Sequence, residues 1–199
     1  MTTATISAKT AKTEYPVIDI IKKRYSPRVF AKKDIDKNTF HTLMEAVRWA
    51  ASSRNEQPWR FIYAFRGSDA YEKMYSILSE NNQKWTKNAP LLMLAAYKEK
   101  FDHGKENFHA LHDLGLALGN MTAQAQSMGI GLHHMAGVNW QKAHEIFNVP
   151  EGYHVSTAIA VGYYGGDPAD LPEKLAQTET AERKRKPQKE FLFAGTWGK

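Results

Sequence analysis

The run Leu91–Tyr97 (LLMLAAY), introduced by Pro90, limits what this chain can fold into more than any other segment. A half-exposed strand alternates apolar and polar residues, whereas an uninterrupted apolar run of this length belongs in a strand covered on both faces. Such a strand needs strands beside it and helices above and below, which the 199 residues can supply within one domain.

The rest of the chain offers those partners. Strands are expected at Trp59–Phe65, Ile130–Met135 and His154–Tyr163. Val17, Ile20 and Ile21 predict a short helix up to Lys23, stopped before Pro27, since proline disfavours helix at Ser26. Phe40, Leu43, Met44 and Val47 form an amphipathic stripe with Asp36 as its N-cap, and Tyr71, Met74, Tyr75 and Leu78 form another. The longest helix is expected over Phe108–Met128, with Leu111, Leu114, Leu118, Met121 and Ala125 inward and Gly129 as C-cap. On it Gly115, Gly119 and Ala123 recur every four residues, a close-packing feature for the core or for a dimer contact. A further helix surrounds Trp140–Phe147. The class is α/β, a sheet of four or five strands covered by helices.

Composition narrows the function. Without cysteine there is no disulfide framework, thiolate metal site or thiol nucleophile, and a reducing cytoplasm is the natural setting. No run of about 18 apolar residues predicts a membrane span. Residues 1–14, rich in Thr, Ala and Lys, read as a disordered arm, leaving 15–199 as a single domain with an extended C-terminal segment. The net charge of +6 is concentrated at Lys22, Lys23, Arg24 and Arg28 and again at Arg183–Lys189. The plain reading of such runs is solvated surface; the functional ones are nucleic acid or a phosphorylated small molecule. Recognition-helix, RNA-recognition and zinc-finger signatures are missing, which leaves a basic nucleic-acid-binding protein as the minor alternative.

Other motifs fail. Gly129-Ile130-Gly131 lacks the third glycine of a dinucleotide fingerprint, since position 134 is His134, and it follows a helix rather than a strand. No GxxxxGK[ST] or GxSxG segment occurs. His109 and His112 share a helix face and His133 adjoins His134, but no HExxH is present and no carboxylate is spaced to complete a set. No metal site is expected.

Three separated segments fit one anionic ligand. Arg24-Tyr25-Ser26-Pro27-Arg28 offers forked guanidinium donors around a hydroxyl, suited to a phosphate monoester. Ser52-Ser53-Arg54-Asn55-Glu56-Gln57-Pro58-Trp59 offers polar side chains for an amide-rich ring or a polyol. Arg183-Lys184-Arg185-Lys186-Pro187-Gln188 can close from the C-terminal side.

In this order the segments resemble the nitroreductase family of FMN-dependent flavoproteins. The first is similar to its RRSxR-like opening, with Tyr25 where Arg or His is usual, and the second to SSxNxQPW. Gly129–Gly137 (GIGLHHMAG), Val149–Tyr153 (VPEGY) and Ala158–Tyr163 (AIAVGY) resemble its GLG, LPEGY and LGY segments. The likeness spans about residues 17–197; Tyr71–Asn107 offers nothing to place.

The resemblance implies a three-layer α+β fold with a central mixed sheet, and a homodimer with FMN at its interface. Arg24, Ser26 and Arg185, with Arg183, would hold the phosphate, with Tyr25 beside them, and Arg28 would lie near the pyrimidine end. His134, Met135, Ala136 and Gly137 would pass the ring edge, the Ala136 N–H reaching N5. Ser52, Ser53, Asn55 and Gln57 would come from the other protomer. NADH or NADPH would deliver hydride to N5 and leave before a nitroaromatic, quinone or similar flat acceptor takes the electrons. No catalytic side chain is expected. A dehydrogenase, dehalogenase, flavin reductase or ring-cleaving enzyme on the same scaffold is the alternative.

Overall fold

The computed structural model describes residues 8–198. In chain order its helices are α1 Asp19–Lys23, α2 Lys37–Arg48, α3 Asp69–Ser76, α4 Glu80–Thr86, α5 Ala110–Ser127, α6 Trp140–Phe147 and α7 Glu173–Thr180. The strands are β1 Trp59–Phe65, β2 Leu91–Lys98, β3 Ile130–Met135 and β4 Tyr153–Tyr163.

The sheet has four strands in the order β1-β2-β4-β3, and every pairing among them is antiparallel, so the expected mixed sheet is corrected. The hydrophobic pattern could not distinguish the two. A fully buried central strand reads the same in either ladder, because coverage of both faces, not strand direction, removes the alternation.

The two faces of β2 feed two cores. Leu91, Met93 and Ala95 pack with Phe40, Leu43 and Val47 of α2 and with Leu114, Ala117, Met121 and Ala125 of α5. Leu92, Leu94 and Ala96 pack on the other face with Tyr71, Met74, Trp85 and Ala143, which come from α3, α4 and α6. Each fully buried Leu or Met contributes roughly 1.5–3 kcal/mol, so this strand anchors both layers.

Local rules set the helix boundaries. Asp36 accepts the Thr39 N–H at 2.9 Å and starts α2, and Ser68 accepts the Tyr71 N–H at 3.2 Å and starts α3. Gly129, at φ +70°, ends α5 in a left-handed turn. The buried stripe of α5 runs through Ala110, Leu114, Ala117, Met121 and Ala125, while Leu111, expected inside, is 54% exposed. Gly115 and Gly119 face open space, so the two glycines serve no close contact among the described residues. Helices α4 and α7 were not foreseen, because ENNQKWT and EKLAQTET carry little apolar periodicity.

Residues 1–7 of the expected disordered arm lie outside the described residues. From residue 8 onward the arm is docked rather than loose. Lys9 is buried and donates to the carbonyls of Thr178 and Ala181, both at 2.9 Å.

Candidate functional site

The Arg24–Arg28 segment leaves α1 and lies against β3. Gly131 permits that approach: a Cβ there would stand 2.5 Å from Pro27 Cγ and 2.8 Å from the Tyr164 ring. Tyr25 turns inward and stacks on Tyr164 with centroids 4.9 Å apart. The Tyr164 hydroxyl donates to the Tyr25 carbonyl at 3.0 Å and accepts the Tyr25 N–H at 3.4 Å. Burial, with a smaller contribution from the Glu179 charge, pushes the Tyr25 phenol up from its ordinary value. Expected at the ligand, the Tyr25 ring is committed to the interior.

Arg24 is half-buried, and its Nη1 donates to Ser26 Oγ at 3.3 Å. Arg183 Nη1 donates to the Lys9 and Lys22 carbonyls at 3.1 and 2.8 Å, which pins the C-terminal segment beside the end of α1. Arg185 stands near both, exposed, with Nη1 on the Lys184 carbonyl at 2.7 Å. Burial and the neighbouring guanidinium charges lower the pKa of Arg24 and of Arg183 from its ordinary value. Among the described residues none of the three arginines has a carboxylate partner. Three converging guanidiniums beside a hydroxyl, with N–H groups to spare and no acid, form a cradle for a doubly charged anion.

Arg28 points elsewhere. Its backbone N–H donates to both carboxylate oxygens of buried Glu179 at 3.2 Å, and its Nη1 lies 3.9 Å from Glu179 Oε2. Burial raises the Glu179 pKa, opposed by the Arg28 N–H and the Lys9 charge. Glu179 thus ties α7 to the segment that carries Arg24 and Ser26.

Two histidines of β3 back the cradle. His133 Nδ1 donates to the Pro27 carbonyl at 3.0 Å, and its ring lies 4.4 Å from Trp85. His134 Nε2 lies 3.3 Å from Thr122 Oγ1 on α5. Burial holds both imidazoles down at about 4, the Arg24 charge adding to the effect at His134, so both are neutral near pH 7. Met135 is buried and Ala136 is exposed. Gly137 follows, its carbonyl accepting from the Ser79 N–H at 2.9 Å and Asn82 Nδ2 at 3.1 Å.

The Ser52–Gln57 loop is strained and well held. Arg54, Asn55 and Gln57 have φ of 54°, 58° and 47°, left-handed conformations that cost of order 1–3 kcal/mol each in a non-glycine residue. Ser52 Oγ accepts the Gln57 N–H, Gln57 Nε2 donates to the Asn55 carbonyl, and buried Asp113 Oδ2 accepts the Ser53 N–H, each at 3.0 Å. Asp113 stands in the first turn of α5, nine residues before Thr122. At a rise of about 1.5 Å per residue, the loop and the His134 end of the cradle lie about 14 Å apart along the helix. One chain does not bring its two polar halves together.

The nitroreductase-family model matches residues 21–84 and 64–163 of this sequence. The chain belongs to the nitroreductase family. A solved structure described as an oxidoreductase containing FMN is 33% identical, with a TM-score of 0.88 over 94% of this chain and 95% of its own. A nitroreductase-family protein from Clostridium difficile 630 is 20% identical, with a TM-score of 0.67 over 98% of this chain and 99% of its own. The major NAD(P)H-flavin oxidoreductase of Aliivibrio fischeri is 25% identical over 192 residues, 75% of this chain and 88% of the relative. Membership of the nitroreductase family makes the chain an oxidoreductase enzyme.

Within this nitroreductase frame several structural residues escaped sequence reasoning. Tyr164 directly follows the AIAVGY strand and locks Tyr25, but an aromatic after a strand carries no signal of its own. Glu179 and Lys9 lie in polar stretches where only the fold shows their burial. Asp113, which no sequence pattern singles out, is the buried link between α5 and the Ser52–Gln57 loop. Among the described residues no helix is long and apolar enough to cross a membrane.

Proposed function

We propose that this nitroreductase-family enzyme binds FMN, takes electrons from NADH or NADPH and passes them to nitroaromatic, quinone or similar flat acceptors in ping-pong order. The observation that carries the reading is the acid-free grouping of Arg24, Arg183 and Arg185, with Arg24 on the Ser26 hydroxyl. That donor set matches a phosphate dianion, and the likeness to an FMN-containing oxidoreductase supplies the phosphate's identity. When bound, FMN supplies the hydride-accepting and electron-donating chemistry.

The chain's own residues bind and orient. Arg24, Ser26 and Arg185, with Arg183, hold the phosphate; Glu179 and Tyr164 act behind them as positioning residues. His134–Gly137 line the ring edge, and the backbone N–H of exposed Ala136 is the donor assigned to N5. Neutral His133 and His134 add no charge to that left by the arginines.

The missing half of the site comes from a second copy. Phe108 is 80% and Leu111 54% exposed, in line with Gly115 and Gly119, on an α5 face that nothing among the described residues covers. A two-fold dimer with α5 antiparallel to its mate sets the start of one helix beside the end of the other. The partner subunit's Ser52, Ser53, Asn55 and Gln57 then approach this protomer's His134 end and span the separation of about 14 Å along the helix.

Steady-state kinetics test the function. Initial rates with varied NADH or NADPH at several fixed concentrations of a nitroaromatic or quinone should give parallel double-reciprocal lines. Intersecting lines, or no acceptor-dependent turnover, would contradict the proposal.

A further inference from the structure

The start of α5 carries a cluster that the flavin chemistry does not use. His109 at the N-cap, His112 and Asp113 each offer a ligand atom, and all three atoms lie within 4.8 Å of one another. The sequence pattern offers no carboxylate to complete a set with these histidines, whereas the helix turn brings Asp113 to both imidazoles. Unlike the exposed acids common on surfaces, Asp113 is 1% exposed and its carboxylate is already fixed. Oδ2 is held by the Ser53 N–H at 3.0 Å, and Oδ1 lies 3.1 Å from His112 Nδ1.

A four-coordinate ion with ligands about 2.0–2.1 Å away needs neighbouring ligand atoms roughly 3.3 Å apart. The Asp113–His112 pair has this separation already. His109 is exposed, its ring sits 5.4 Å from that of His112, and its ligand atom lies within 4.8 Å of the other two. Two imidazoles with one carboxylate favour zinc, nickel or cobalt over magnesium or calcium, which prefer all-oxygen sites. The helix dipole opposes a cation at an N-terminus, a small effect beside three ligand bonds.

We propose that His109, His112 and Asp113 form a binding site for a divalent first-row transition-metal ion of the zinc class. The set leaves a coordination position open for solvent. The site is separate from the arginine cradle and does not depend on the flavin reading.

The test uses the tag-free protein as purified, stripped of metal by a chelating resin and titrated calorimetrically with zinc chloride, then with magnesium chloride. The expected result is saturable binding of one zinc per protomer and no magnesium binding. His109→Ala and His112→Ala should each weaken zinc binding at least about 10-fold, the lower range for losing even a supporting partner of a metal site. His41→Ala, an exposed histidine on α2, should bind zinc as the natural chain does. Both ligand histidines are exposed in the single chain, and His112 borders the α5 face proposed to meet a second copy; these variants should keep the natural far-ultraviolet circular dichroism and the natural oligomeric state. No saturable zinc binding, or undiminished binding by the His109→Ala/His112→Ala double variant, would overturn the proposal.

Discussion

Arg185 is the exposed member of the three-arginine cradle, and its removal isolates the charge interaction from folding. Arg185→Ala should weaken FMN binding about 10–150-fold, the worth of one charge-assisted hydrogen bond at roughly 1.5–3 kcal/mol. Flavin fluorescence titration of the refilled apoprotein reads this directly, and an unchanged affinity would remove Arg185 from the phosphate site. The histidines give a pH signature. His133 and His134 sit at about 4 in the folded chain against 6.5 ordinarily, so the unfolded chain binds more protons between those values. Their contribution is complete above about pH 6.5 and is lost as pH falls toward about 4, by up to about 3 kcal/mol for one imidazole. Denaturant melts across that range should show a shallower acid loss for His133→Asn, which can keep a donor toward Pro27; an identical slope would contradict the burial argument. At this scale the cradle was legible because arginines grouped without acids announce an anion. The inward turn of Tyr25 and the pairing of Arg28 with Glu179 were not. Both depend on which side chains the fold buries, and a one-dimensional pattern does not carry that for tyrosine or glutamate.

Elements with strong periodicity were readable nearly to the residue. The strands at 59–65, 91–98 and 130–135 and the stripe on α2 follow the apolar pattern because packing and pattern agree there. Helix α5 exposed the limit of that logic. Its apolar residues cover more than one side, and the sequence placed Leu111 inside where the structure buries Ala110 and Asp113 instead. Helices α4 and α7 lack an apolar stripe and a side-chain N-cap, so tertiary contacts define them. The GIG segment shows an element-level constraint that can be measured. Gly131→Ala would drive its methyl into Pro27 Cγ, 2.5 Å away, and separate β3 from the Arg24–Arg28 segment. The expected cost is about 1–3 kcal/mol from overpacking. Thermal melts should show lower stability and flavin titration should show weaker FMN binding, because the displaced segment carries Arg24 and Ser26. A stability equal to that of the natural chain would mean that the approach is looser than the structure gives.

At the scale of the molecule, the separation of the Ser52–Gln57 loop from the arginine cradle is what the proposed dimer has to bridge. Mixing Asn55→Ala protomers with Arg24→Ala protomers should yield heterodimers with one intact and one doubly damaged site. Activity should therefore reappear after mixing and re-association of two weakly active variants; none recovered would count against a shared site. The second copy is proposed only from resemblance and from the open glycine face of α5, since no periodicity reports which surface meets another chain. The central claim is that the cradle of Arg24, Ser26, Arg183 and Arg185 exists to hold FMN. The visible absorbance spectrum of the purified protein, with identification of the chromophore released on denaturation, tests it most directly. A flavin spectrum with FMN released is the result predicted. A colourless protein that also fails to take up added FMN would contradict the account at its centre.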